Sequence, residues 1–87
     1  MDIFIHGSAR KFMDKLDEKK YLHIKEYLKK LAENPFSNQL DIKKLKGIKG
    51  GQDAFRLRVG EYRIIYFIQE NKIWVTEIMI RNKGYDF

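Results

Sequence analysis

The sequence predicts an α+β fold of order β-α-α-β-β-β, in which an antiparallel meander sheet carries an N-terminal helical hairpin packed on one face. Three observations carry this. Apolar residues between positions 9 and 31 recur at helical spacing. Residues 55–80 are dense in β-branched and aromatic side chains. Turn signals at Gly60-Glu61 and Glu70-Asn-Lys72 cut that second region into strands.

The first strand spans residues 2–5, a short run with aromatic and branched side chains, and His6-Gly7 ends it. Ser8 then suits a helix N-cap, with Ala9, Phe12, Met13 and Leu16 at i, i+3, i+4 and i+7 on one face. The chain breaks near Lys15-Leu-Asp-Glu18, where Asp17 can cap a second helix. There Tyr21, Ile24, Tyr27, Leu28 and Leu31 share an arc, while Lys19, Lys25, Glu26, Lys29 and Lys30 lie largely away from it. Asn34-Pro35 stops the helix, because a residue before proline is pushed out of helical geometry. Leu22 falls outside the apolar arc and is free to meet the first helix or a partner.

Residues 36–53 read as a connector without clear periodicity. It contains Lys43-Lys-Leu-Lys-Gly47 and Lys49-Gly-Gly51, so it forms an electrostatic apron in which Lys46 and Lys49 are candidate phosphate contacts. A nucleotide-binding loop is not expected, since no strand, glycine-rich loop and helix follow in that order. In residues 55–59, Phe55, Leu57 and Val59 alternate with Arg56 and Arg58, so both arginines project from one face. Gly60-Glu61 fits a two-residue type II′ turn. Residues 62–68 are apolar at nearly every position except Arg63, the pattern of a central strand covered on both faces. Residues 73–80 form the last strand, and the charged tail from Arg81 to Phe87 ends the chain.

With 87 residues the chain has room for a single domain, residues 1–87. It has no cysteine, so disulfides, thiol nucleophiles and cysteine-based metal sites are excluded. His6 and His23 are isolated, and neither a metal site nor a cofactor is expected. The N-terminus lacks the pattern of a signal peptide, and no stretch approaches the ~20 apolar residues of a membrane span, so a cytoplasmic protein is expected. The net charge of +6 suits either an acidic partner such as nucleic acid or a lysine-rich solubilising surface. The excess is concentrated after residue 40, where ten basic side chains stand against six acidic ones, so the hairpin half carries the stronger field.

No Ser-His-Asp set, paired-carboxylate motif or HExxH spacing is present, and the acids are scattered. What remains is a concentration of cations: Arg56, Arg58, Arg63, Arg81 and Lys83. Guanidinium forks bind phosphate oxygens in pairs and can stabilise the charge that develops in phosphoryl transfer. A lysine among arginines has its protonated form disfavoured and can serve as a base. On the chemistry of the residues alone, binding without catalysis, or a solvated sheet face, is the favoured reading of such a cluster. Tyr85 and Phe87, in the polar tail, are the better candidates for stacking on bases.

Leu45-Lys-Gly47 and Phe55-Arg-Leu-Arg-Val-Gly-Glu-Tyr-Arg-Ile-Ile-Tyr66 resemble the core motif of the RelE/ParE toxin superfamily, and the helical hairpin ending in Glu33-Asn-Pro35 is also similar. The resemblance to RelE-like members implies the toxin of a type II toxin–antitoxin system. Such a toxin is a ribosome-dependent endoribonuclease, an mRNA interferase that cuts mRNA in the A site by 2′-hydroxyl attack. It also implies a cognate RelB-like antitoxin as partner. Arg63 then matches the arginine that stabilises the phosphate. Arg56 and Arg58 fall where RelE-like toxins often carry lysines, and arginine there keeps the charge but is a poor base. Lys83 matches a second basic catalytic position, in a segment reading Arg81-Asn82-Lys83 without the family's histidine. Either Tyr85 or Phe87 fills the position of the closing tyrosine, and only Tyr85 can exchange a proton. Two other functions are compatible with these residues: a ParE-like gyrase poison, and a basic RNA- or ribosome-binding module without catalysis.

Overall fold

The computed structural model describes residues 1–45 and 53–80. The elements are β1 (Asp2–Ile5), α1 (Gly7–Asp14), α2 (Glu18–Glu33), β2 (Asp41–Lys44), β3 (Asp53–Val59), β4 (Tyr62–Gln69) and β5 (Lys72–Ile80). They form one sheet in the order β1-β5-β4-β3-β2, with the helical hairpin on one face. Strands β2 to β5 are an antiparallel meander, and β1 joins parallel to β5. The α+β class and the hairpin follow the sequence expectation.

Three details differ from it. The connector contains a strand, β2, whose four residues pair with β3. That strand is too short to show periodicity, and its stability comes from a neighbour that alternation alone does not reveal. The N-cap of α1 is His6, whose Nδ1 accepts from the Ser8 amide at 3.4 Å. Ser8 instead donates its hydroxyl to the Thr76 carbonyl at 3.0 Å. Finally, β4 is central but the helices cover only one of its faces; on the other, Arg63, Ile65 and Phe67 stay half-buried.

Asp17 caps α2 as its sequence suggests, accepting from the Lys20 amide at 2.9 Å. Ala9 and Met13 of α1 and Ile24, Leu28 and Leu31 of α2 press on Leu57, Val59, Ile64, Tyr66, Ile73 and Val75 of the sheet. Each Val, Leu, Ile or Met side chain among them stabilises the fold by about 1.5–3 kcal/mol on full burial. At the Gly60-Glu61 turn, Gly60 has φ +58 while Glu61 stays negative, as a type II′ turn requires. The next turn is of the I′ kind, with Glu70 at φ 54 and Asn71 at φ 61, so a glutamate occupies the left-handed region.

Between β4 and β5 the register shifts at Ile65/Tyr66, where Ile65 opposes Glu77 but Tyr66 opposes Val75. Thr76 is therefore a bulge residue. Its carbonyl accepts from Ser8, and the His6 amide donates to the Val75 carbonyl at 2.8 Å, so the start of α1 is tied to the bulge. Among the described residues, no helix is long and apolar enough to cross a membrane.

Candidate functional site

Alternation along β3 and β4 sorts their residues onto two faces. Leu57, Val59, Ile64 and Tyr66 turn to the helices and are buried; Arg56, Arg58 and Arg63 turn to the open face. The tight turn then sets Arg58 directly across from Arg63, and Arg56 across from Ile65. Directly opposed residues have Cβ atoms about 4.5–5.5 Å apart, so two guanidinium stems of like charge share one patch. Such an arrangement costs stability and suits an anionic ligand that relieves it.

The edge strand adds to this patch. Asp41 lies opposite Arg58 and Lys43 opposite Arg56 in the β2–β3 ladder. Arg56 donates from Nη2 to Asp41 Oδ1 at 2.8 Å, and Arg58 Nη1 stands 3.8 Å from Asp41 Oδ2. The Arg56 side chain is only 11% exposed, against 31% for Arg58. Among the described residues, Nε of both arginines is buried with no hydrogen-bond partner.

Asp41 is the site residue that sequence reasoning missed, since the acids read as scattered. The faint signal was Leu40 and Ile42 alternating with Asp41 and Lys43, a pattern four residues long.

The far end of the open face is aromatic. Phe4 of β1 and Trp74 of β5 stack with centroids 4.8 Å apart, and Phe67 lies across from Trp74. Tyr62 and Tyr66 point the other way, into the core, where Tyr66 stacks on Phe55 at 5.4 Å. Burial pushes the Tyr66 phenol from 10.0 up to about 12, so it keeps its proton at neutral pH and is no base. The structure thus brings Arg56, Arg58 and Arg63 together. Lys46, Lys49, Arg81, Lys83, Tyr85 and Phe87 lie outside the described residues.

This geometry agrees with what comparison with known proteins finds. The model of the family described as "ParE toxin of type II toxin-antitoxin system, parDE" matches residues 3–85. The chain is a type II toxin of the RelE/ParE superfamily. Among solved structures, the toxin is similar to a chain of the archaeal RelE–RelB complex from Pyrococcus horikoshii OT3. The two share 27% identity at a TM-score of 0.80, over 95% of this chain and 97% of that one. A chain of the RelB–RelE complex from Methanococcus jannaschii is 24% identical, with a TM-score of 0.73 over 97% and 96% of the two chains. The isolated Escherichia coli RelE toxin shares the fold at 18% identity, with a TM-score of 0.73 over 97% of this toxin and 87% of that one. A search of curated proteins finds no match.

Proposed function

We propose that this toxin is a ribosome-dependent endoribonuclease that cleaves mRNA in the A site and so halts translation. The observation that carries the reading is the convergence of Arg56, Arg58 and Arg63 on one open sheet face beside a tight turn. In this reading the whole chain, residues 1–87, works as a single cytoplasmic domain on a ribosome-bound message. The 2′-hydroxyl of one nucleotide attacks its adjacent phosphate, the 5′-oxygen of the next nucleotide leaves with a proton, and a 2′,3′-cyclic phosphate remains. Arg63 stabilises the charge that builds on the phosphate, and Arg56 and Arg58 hold the strand, since guanidinium stays protonated and cannot accept the hydroxyl proton. Lys83 and Tyr85 supply proton transfer, while Arg81, Lys46, Lys49 and Phe87 extend the RNA contact. The test is direct: toxin added to ribosomes with an empty A site is expected to create new 5′ ends within the message. An intact message on ribosomes that still bind the toxin sinks this reading.

A second reading, a ParE-like gyrase poison, is favoured by the family model that matches the chain. Accumulation of DNA breaks with mRNA left whole would establish it. The partner in both cases is a short acidic antitoxin, RelB-like in the first. Its amphipathic helix or strand covers the sheet edge or the helical hairpin and sets acids near the arginines. On the hairpin, exposed Leu22 borders a cavity of about 590 Å³ that also touches Lys19, His23 and Tyr62, and that cavity suits an apolar anchor.

A further inference from the structure

We propose that Asp41 is an internal counter-anion that occupies a phosphate position between Arg56 and Arg58, so that nucleic acid enters this end of the site by exchanging a carboxylate for a phosphate. The inference rests on the reading that these arginines contact RNA. Its geometry does not depend on cleavage.

The edge strand places the carboxylate by register, with Asp41 paired to Arg58 and its neighbour Lys43 paired to Arg56. One oxygen takes a charge-assisted bond from Arg56 at 2.8 Å and the other faces Arg58 at 3.8 Å. A carboxylate spanning two guanidinium groups offers the same pair of oxygens as a bridging phosphodiester. Arg56, with 11% of its side chain exposed, is largely removed from water and requires a counter-charge. Asp41 can withdraw, because its own side chain is 54% exposed and water receives it. The carboxylate therefore offsets one of the two positive charges it bridges until a phosphate takes its place. It also makes any phosphate that enters compete for Arg56, which discriminates against ligands that deliver a single weak phosphate contact.

The test is the affinity for a short single-stranded oligodeoxynucleotide, which lacks the 2′-hydroxyl and so reports binding without cleavage. Asp41→Asn keeps a side-chain oxygen as acceptor and removes the charge. It is expected to bind about fivefold more tightly than the parent at low salt, with a salt dependence steeper by about 0.7 in log–log slope. Asp41→Glu is expected to restore the parent behaviour. The gain should vanish in an Arg56→Gln background, and Asp14→Asn, the same charge change on α1, should leave binding near the parent value. Thermal melts check that each variant is folded, and Arg58→Gln replaces Arg56→Gln if the latter does not fold. The proposal is overturned if folded Asp41→Asn binds no more tightly than the parent, or if Asp14→Asn gains as much. When Asp41→Asn fails to gain but Arg56→Gln still loses affinity, the arginine reading stands without the exchange. When neither variant moves binding, both fall.

Discussion

The two faces of the sheet are made from neighbouring residues of the same strands, yet they answer to different physics. Leu57 and its flanking arginines, one step away on either side, show this most clearly. Leu57 is fully buried against the helices, while Arg56 and Arg58 stand over the open face with Asp41 between them. The helix-facing layer is held by packing, in which any lost volume costs stability. The open face holds cations close together at a cost that only an anion relieves. Stability and the proposed RNA contact are therefore separable by single-residue steps along β3.

Substitutions can break or sharpen that contrast. The largest effect is expected from Leu57→Ala, which should destabilise the fold by about 2–5 kcal/mol in denaturant melts. The oligonucleotide affinity of the molecules that remain folded should be unchanged. On the other face, Arg63→Ala should slow mRNA cleavage by about 10²-fold or more with a melting midpoint near the parent's. A comparable fall in stability would show the two faces to be coupled. The loss should appear in kcat more than in KM if Arg63 acts on the transition state.

Tyr66 tests the packed face more gently. Its buried hydroxyl has no partner among the described residues, so Tyr66→Phe should be neutral or stabilise by up to about 1 kcal/mol. The pH dependence has a definite sign. The folded phenol holds its proton to about 12 rather than 10.0, so the stability linked to it is complete below the lower value and is lost as pH rises toward the higher one. Alkaline melts of Tyr66→Phe should lose that part of the slope. The smallest effect concerns the turn after β4, where Glu70 has φ 54. Glu70→Gly should stabilise by about 1 kcal/mol, and an unchanged melting midpoint would mean that the left-handed conformation carries no strain.

Much of the helix-facing side was legible in the sequence, and less of the open side. Helical spacing marked Met13, Ile24 and Leu31, the Gly60 turn paired β3 with β4, and simple alternation put Arg56 and Arg58 on one face. What alternation cannot supply is the identity of a neighbour far along the chain. Asp41 comes to Arg56 through a four-residue strand whose pairing no local pattern announces. His6 at the helix cap was hidden for a related reason. Ser8 is the better capping residue in isolation, but its hydroxyl is claimed by Thr76, 68 positions away. The proton chemistry expected of Lys83 and Tyr85 falls in residues 81–87, outside those described.

The bulge at Thr76 has one more consequence. Because Ile65 already faces Glu77 and Tyr66 already faces Val75, Thr76 is a surplus link in β5, and the inward and outward pattern on either side would survive its deletion. What would not survive is the carbonyl that Ser8 holds. The strand spends one residue of length on fastening the first helix, so a chain shortened there would keep its hydrophobic order and leave the helical hairpin pinned at His6 alone.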